Sequence, residues 1–193
     1  MIRNRQRGSS TLEMALVGIP IVFTLISIFE MSRGMWMYHT LAYSVKVGVR
    51  LASVHGENCI NKPPGVTNNC PKSIPDIANA IRDAAVGLDP GTTLLTFRSS
   101  TSLPVFCYMG STAGSVITPL GTYSGCQNTA NFPTTTAWPP GDPSSTDNQV
   151  GKQIRIDIRT RFRSALAMVF PGARSVRFAE ADLGATSQDI IQF

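Results

Sequence analysis

Charged side chains are scarce in this 193-residue chain, and the usual motifs of catalysis are missing from it. Asp, Glu, Lys and Arg make up 15% of the residues, against about 25% in an ordinary soluble domain. The sequence has no Gly-x-Ser-x-Gly, no phosphate-binding glycine loop, no His-Glu-x-x-His and no dinucleotide-binding fingerprint. We therefore expect no catalytic residues and no enzymatic activity, and we expect part of the chain to lie outside water.

Metal ligands and nucleic-acid-binding features are also few. The two histidines, His39 and His55, are isolated, and the four cysteines form no Cys-x-x-Cys pair, so we expect no metal site and no cofactor. The net charge of +5 includes three arginines within residues 1–8 and would be +2 without them. Because a basic leader before an apolar run more often sets membrane orientation, we expect no nucleic-acid partner.

The sequence does contain an uncharged apolar run from Met14 to Phe29. With Leu12 and Glu13 it reaches 18 residues, at the lower end of the length that crosses a bilayer as a helix. It is typical of a cleaved secretory signal, of a permanent signal anchor, or of a helix that is retained after a short leader is removed. A secretory signal would need a small-x-small cleavage site after Phe29, and none follows.

The residues before the apolar run have a definite order: arginines, then Gly8, then the small Ser9 and Ser10, then Glu13. This order resembles the class III signal of type IV pilins, which prepilin peptidase cuts after the glycine. The resemblance implies cleavage between Gly8 and Ser9. It also implies that Glu13 neutralises the N-terminal amine of a neighbouring subunit, and a buried carboxylate does need such a partner.

The helical pattern continues beyond the apolar run. Apolar residues recur at spacings of four and three, which predicts one helix over 9–54 whose second half packs a stripe on a folded domain. Glu30 and Arg33 are three apart and are expected to pair on its surface. We therefore divide the chain into a leader (1–8), this helix with a transmembrane segment at 12–29, and an extracytoplasmic domain (55–193). The stripe consists of Met31, Met35, Tyr38, Ala42, Val45, Val49 and Ala52.

This N-terminal quarter resembles the TadE-like family of tight-adherence, Flp-type pilus systems. The resemblance implies a minor pilin or pseudopilin, with Phe29, Glu30, Arg33, Gly48 and Arg50 as family-motif residues on the helix. Val49 departs from the family, in which a smaller alanine is usual. The resemblance rests on Gly8, Glu13 and Pro20, on Phe29-Glu30-Met31-Ser32-Arg33, on Leu41-Ala42 and on Gly48-Val49-Arg50-Leu51-Ala52.

All four cysteines follow the long helix, and an even number outside the cytoplasm favours disulfides. Three connectivities are possible. We favour Cys59–Cys70 and Cys107–Cys126, because each of these pairs closes a short loop rich in turn-forming residues. Between them, Ser73 and Pro75 predict the start of a second helix, which ends at Asp89-Pro90-Gly91.

The remaining segments indicate strands and loops. Strict alternation over Gln153–Arg163 predicts a half-buried antiparallel strand, whose basic side is either solvated or a site for an acidic partner or anionic lipid. Residues 110–149 are predicted to form a long loop, which is either an exposed docking surface or a solvated connector with Trp138 on the surface. Other strands are predicted at Thr92–Arg98, Leu103–Met109 and Arg174–Leu183, with a frayed or lightly docked tail at 184–193.

Together these patterns predict an α+β, pilin-like fold: a long N-terminal helix, membrane-embedded in its first half, packed on a small antiparallel β-sheet, with a second short helix. We expect a single-pass inner-membrane protein whose C-terminal domain lies in the periplasm or outside the cell, and which can be incorporated into a pilus. The expected partners are other pilins or pseudopilins, prepilin peptidase, the inner-membrane pilus assembly platform and membrane lipid.

Two other functions stay open on the sequence alone. One is a signal-anchored periplasmic binding or envelope protein that is never processed and never polymerises. The other is a pseudopilin of a type II secretion system, which the long helix also fits.

Overall fold

The computed structural model describes residues 7–56, 72–110, 123–142, 145–164 and 180–192. The predicted α+β, pilin-like fold is confirmed within these ranges: a long N-terminal helix, a short second helix and a four-stranded antiparallel sheet. The elements are α1 (Arg7–Ser53), α2 (Ile74–Ala84), β1 (Leu94–Arg98), β2 (Val105–Tyr108), β3 (Gly141–Asp142), β4 (Ser145–Thr146), β5 (Gln153–Arg163) and β6 (Glu180–Ile190).

The main sheet has the strand order β2-β1-β5-β6, and every neighbouring pair in it is antiparallel. Strand β5 has the predicted bounds and pairs with β6 along its whole length. Ile154, Ile156 and Ile158 of β5 are fully buried, whereas Arg155 and Arg159 are exposed. A strand with a period of two has to place these two sets of side chains on opposite faces of the sheet, so one face packs against the helices.

The hydrophobic core lies between this sheet face and the two helices. Fully burying one large aliphatic side chain contributes about 1.5–3 kcal/mol, so the cluster is the main source of the domain's stability. Its fully buried large members are Leu41 and Val45 of α1, Ile77 and Ile81 of α2, and Leu95, Phe97, Ile154, Ile156 and Ile158 of the sheet.

Helix α2 begins at a capping box. The Ser73 hydroxyl accepts a hydrogen bond from the Asp76 backbone N–H at 3.4 Å, and the Asp76 carboxylate accepts one from the Ser73 N–H at 3.0 Å. These two bonds satisfy backbone donors that a helix start leaves unpaired. Pro75 stands in the first turn, where its missing N–H costs nothing.

Helices α1 and α2 approach each other closely at Gly48. A Cβ atom placed there would lie 2.5 Å from Cγ1 of Ile81, and Ile81 is fully buried. Any larger residue at this position would have to displace the Ile81 side chain in a tightly packed core. The glycine in the predicted motif therefore has a packing role in this domain.

The packed face of α1 differs from the predicted stripe in its first half. Val45, Val49 and Ala52 are buried as predicted, but Met31, Met35 and Tyr38 are 70%, 60% and 49% exposed. The helix instead turns Gly34, Met37 and Leu41 toward the domain. Apolar residues lie on both of these neighbouring faces, so periodicity alone selected the wrong one for this part of the helix.

The last strand and the predicted tail also differ from expectation. Strand β6 runs over Glu180–Ile190 and so continues well beyond the predicted end at Leu183, and Ile191 is buried in the core. The predicted start of this strand, over 174–179, lies outside the described residues. The backbone N–H of Gln192 donates to the carbonyl of Ser53 at 3.0 Å, which fastens this segment to the end of α1. Residues 184–190, predicted as part of a frayed or lightly docked tail, are thus an integral part of the sheet.

Trp138 is part of the core and not of a solvated loop. Its side chain is 5% exposed, and its ring meets that of Phe97 edge to face at a centroid distance of 5.1 Å. The backbone N–H of Trp138 donates to the backbone carbonyl of Lys72 at 2.8 Å. This part of the predicted loop 110–149 therefore closes the core beside α2, and Trp138 is unavailable for docking.

Candidate functional site

The first half of α1 is the most exposed apolar surface in the described part of the chain. Every large hydrophobic residue from Leu12 to Phe29 except Ile26 is between 48% and 76% exposed. Among the described residues α1 is the one helix whose length and composition allow it to cross a bilayer; the apolar window that meets this test has a mean hydropathy of 2.2 and none of it is buried. This segment fits a single-pass membrane protein.

Polar groups along this half are few, and several bond within the helix. The hydroxyls of Thr24, Ser27 and Ser32 donate to the carbonyls four residues earlier, at 2.8, 2.8 and 2.9 Å. Such back-bonding satisfies a hydroxyl without water. It therefore lets these residues lie in a bilayer at little cost.

Glu13 is the acidic residue near the start of the exposed half. It lies two turns or less from Gly8 and Ser9, which occupy the first turn of α1. Phe29 is 16 residues further on, about 24 Å along the axis at 1.5 Å per residue. The predicted cleavage and amine-pairing residues are thus brought together by the helix, whereas the other motif residues lie elsewhere along it.

Arg33 joins the helix to the sheet just beyond the apolar run. Its guanidinium donates from Nη1 to the carbonyl of Arg163 at 3.2 Å and lies 5.3 Å from the ring centroid of Phe162. A cation over an aromatic ring is worth about 0.5–1 kcal/mol at an exposed site. Arg33 therefore anchors the end of β5 to α1, a contact that the predicted pairing with Glu30 did not include.

Gly48 and Arg50 lie in the packed half of the helix. Gly48 allows the close approach of Ile81 described above. Arg50 is exposed and stands in the last turn of α1, where a cation interacts favourably with the negative end of the helix dipole. Both residues have a structural role in ending and packing the helix.

The sequence model of the TadE-like protein family matches residues 8–50 of the chain. The chain carries a TadE-like segment. The match begins at Gly8 and ends at Arg50, so it contains the proposed cleavage glycine, Glu13 and all five motif residues of the helix. The predicted resemblance to the TadE-like family is confirmed over this range.

No curated protein and no solved structure matches the chain. The TadE-like match ends three residues before the end of α1. The character of α2 and the sheet therefore has to be argued from their own geometry.

The folded domain contains one disulfide within the described residues, between Cys107 and Cys126. It links the end of β2 to the segment that returns after residue 122, and both cysteines are fully buried. The other proposed pair, Cys59–Cys70, lies outside the described residues. A disulfide is typical of an oxidising compartment.

Two buried carboxylates, Asp147 and Asp157, each accept several hydrogen bonds and fix the segments around them. Asp147 accepts hydrogen bonds from the backbone and side chains of Thr101 and Ser102 at 2.6–3.1 Å. Burial by itself would raise the pKa of Asp147, but the hydrogen bonds from Thr101 and Ser102 outweigh it and hold this pKa well below its ordinary value. Asp147 is therefore a fixed anion that organises a loop.

Asp157 plays a similar part on β5. Burial would raise its pKa, but the Thr186 hydroxyl at 2.6 Å and the guanidinium groups of Arg155 and Arg98 at 2.8 and 3.1 Å lower it. The basic side of β5 is consequently not a plain row of cations. Sequence alternation placed Asp157 on this side, but the arginines that neutralise it come from two strands.

Proposed function

We propose that this chain is a minor pilin or pseudopilin of a Tad-type type IV pilus, acting as an assembly or initiation subunit. The observation that carries the proposal is the uncovered apolar half of α1 within the TadE-like segment. A helix that is apolar on all sides needs lipid or other helices around it. A subunit that moves from the membrane into a filament would exchange the first environment for the second.

In this proposal the chain has three parts: a leader at 1–8, the helix at 9–54, and an extracytoplasmic domain at 55–193. Prepilin peptidase cuts between Gly8 and Ser9, and the apolar half of α1 waits in the inner membrane with the folded domain outside. The Cys107–Cys126 disulfide supports the placement outside the cytoplasm.

On assembly, the apolar half of α1 enters a bundle with the helices of other pilins or pseudopilins. The carboxylate of Glu13 pairs there with the N-terminal amine of a neighbouring subunit, because a charge in an apolar bundle is tolerated only when it is neutralised. Gly18 supports a helix–helix contact: a Cβ placed there would touch nothing within 4 Å, so this glycine packs against no other part of the chain that the structure describes. The resulting filament supports adhesion or secretion, and the role is structural rather than enzymatic.

The first test is the N-terminal sequence and intact mass of the membrane-extracted protein, with and without an active prepilin peptidase. A start at Ser9 that requires the peptidase is the expected result. A chain that keeps Met1 in both strains would contradict the proposal and favour the signal-anchored envelope protein.

The second test substitutes Glu13→Leu and compares it with Glu13→Asp. We expect Glu13→Leu to insert in the membrane normally but to fail in assembly, since no carboxylate remains to pair with the amine; Glu13→Asp should retain part of the activity. Assembly is measured as protein recovered in sheared filaments. Normal assembly of Glu13→Leu would remove the proposed role of this residue.

A further inference from the structure

We propose that the end of the folded domain nearest the apolar span rests on the phospholipid bilayer. The surface that makes this contact, here called the underside, consists of Arg33, Trp36, Val86, Phe162 and Arg163. In our proposal Trp36 and Val86 lie in the headgroup layer, and Arg33 and Arg163 bind lipid phosphates. The inference requires α1 to span a membrane but does not depend on its assembly into a pilus.

The length of the helix sets the level of the underside. A helix rises 1.5 Å per residue, so a hydrocarbon core of about 30 Å takes about 20 residues. Counted from Leu12, that length ends near Met31. The headgroup region adds roughly 5–7 Å on each side, which is about three to five further residues. Arg33 and Trp36 are therefore at the level of the headgroups.

The folded domain reaches the same level, because two of its elements meet α1 there. The end of β5 does so through Arg163 and Phe162, whose contacts with Arg33 are 3.2 and 5.3 Å. The turn after α2 does so through Gly87, which has φ +82° and lies so close to Trp36 that an added Cβ would be 2.5 Å from the indole. No stalk separates the apolar span from the domain.

The exposed chemistry of the underside suits a lipid headgroup. Trp36 remains 49% exposed and Val86 is 68% exposed, although both adjoin the packed turn. Tryptophan favours the membrane–water interface, where its ring is in an apolar layer and its N–H meets polar groups. Arg33 and Arg163 are exposed beside it, and a guanidinium binds a phosphate through two parallel hydrogen bonds.

Acidic side chains near the same end decide which lipid fits best. Asp182 is 4.0 Å from Arg161, and Asp83 is 3.9 Å from Arg82. The arginines of the underside therefore have acidic neighbours at this end of the domain, with Glu30 also at this level. We infer that a zwitterionic headgroup, which presents a phosphate and an amine together, is sufficient, and that excess negative charge in the bilayer is not required.

The two tryptophans of the chain provide the experiment. Trp138→Phe leaves Trp36 as the only tryptophan, and Trp36→Phe leaves the buried Trp138 as a matched control. Each full-length variant is reconstituted in phosphatidylcholine vesicles that carry a nitroxide either near the headgroup or at the end of an acyl chain. Fluorescence quenching is then compared between the two nitroxide depths and between the two variants.

We expect the headgroup nitroxide to quench Trp36 at least about twofold more than Trp138, and more than the acyl-end nitroxide does. Equal quenching of the two tryptophans would overturn the proposal, and so would strongest quenching by the acyl-end nitroxide. If Trp138→Phe does not fold, the difference between the unmodified protein and Trp36→Phe gives the same quantity.

A second comparison separates seating on the bilayer from general charge attraction. Val86→Asp changes only an exposed side chain, so we expect unchanged thermal unfolding and reduced quenching of Trp36. Quenching that occurs only after an anionic lipid is added, and that disappears in high salt, would contradict the zwitterionic contact.

Discussion

The two halves of α1 differ in how much of their apolar surface the rest of the chain covers. In the half before Glu30 the large apolar side chains are mostly exposed, and Gly18 has open space at its Cβ position. In the half after Gly34 one face is fully buried, and Gly48 has a neighbour where its Cβ would be. The apolar side chains of the second half are therefore covered by other parts of this chain, whereas those of the first half need lipid or the helices of other subunits around them.

The most direct test of this difference is to truncate one leucine in each half and to compare the stability of the domain. Leu41 is fully buried and Leu16 is 70% exposed. We expect Leu41→Ala to lower the free energy of unfolding of the domain by about 2–5 kcal/mol, because it removes buried methyl groups and leaves a cavity. Leu16→Ala should leave the domain's unfolding unchanged. Denaturant unfolding in a mild detergent, followed by near-ultraviolet circular dichroism, measures both; similar losses would mean that the two halves are not independent.

Acid should destabilise the folded domain but not the apolar first half of α1. The pKa of Asp147 is lowered in the folded state, so its contribution to stability is complete above the ordinary Asp value and is lost as the pH falls below about 4. We expect the domain's melting temperature to fall in this range while the helicity of the apolar span persists.

Asp147→Asn provides the control for this pH dependence. It should lower stability by about 1–3 kcal/mol at neutral pH, because an amide cannot accept the same set of hydrogen bonds. It should also weaken the dependence on pH below 4. An unchanged acid transition in this variant would assign the transition to other carboxylates, with Asp157 the next to test.

Glycine-to-alanine substitutions at two positions of α1 test whether close packing at Gly48 is what distinguishes it from Gly34. In Gly48→Ala, overpacking against Ile81 should cost about 1–3 kcal/mol, and the gain in helix propensity should offset about 1 kcal/mol of that cost. We therefore expect a net destabilisation of up to about 2 kcal/mol. Gly34→Ala is the matched control, since its Cβ would be 3.9 Å from the Phe162 ring, an ordinary contact distance. We expect it to be neutral or stabilising by thermal unfolding, and the prediction fails if the two variants behave alike.

The smallest expected effect comes from removing the cap of α2, the helix that packs against the second half of α1. Ser73→Ala removes one member of the capping box and should cost about 1 kcal/mol. Ser73→Thr keeps a hydroxyl and should recover most of it. Chemical denaturation measures both, and no difference between the two variants would show that the hydroxyl contributes nothing.

Local pattern was sufficient for much of this fold. The strict alternation of Ile and Arg over 153–163 predicted β5 with its observed bounds, because one face of that strand is buried and the other is not. Ser73 and Pro75 predicted the start of α2 for a similarly local reason: a helix N-terminus needs a side-chain acceptor and tolerates proline. Along the apolar span, the resemblance to the TadE-like family could be recognised because its residues stand in a short fixed order, and the match over 8–50 confirms that resemblance.

Contacts between residues far apart in the sequence could not be predicted from the local sequence pattern. In β6 the residues facing the core include Leu183, Ala185 and Ser187, which is too weak an alternation to be recognised without knowing that β5 lies alongside. The Arg33–Arg163 contact joins residues 130 apart, and Trp138 is buried because β1 offers Phe97 to its ring. Each of these features depends on a partner that only the assembled fold supplies.

The position of β6 has a consequence for the order of events during synthesis. Ser53 at the end of α1 meets Asp189 at 3.3 Å across a separation of 136 residues, so the packed half of the helix is made early and its sheet is completed last. Contacts this distant in sequence form slowly, and an apolar face that waits for them is prone to aggregate. A span already held in a bilayer would keep that face at a fixed place beside the emerging chain, and so raise its effective concentration for the late strand. The first half of α1 would then serve as a folding tether as well as an anchor.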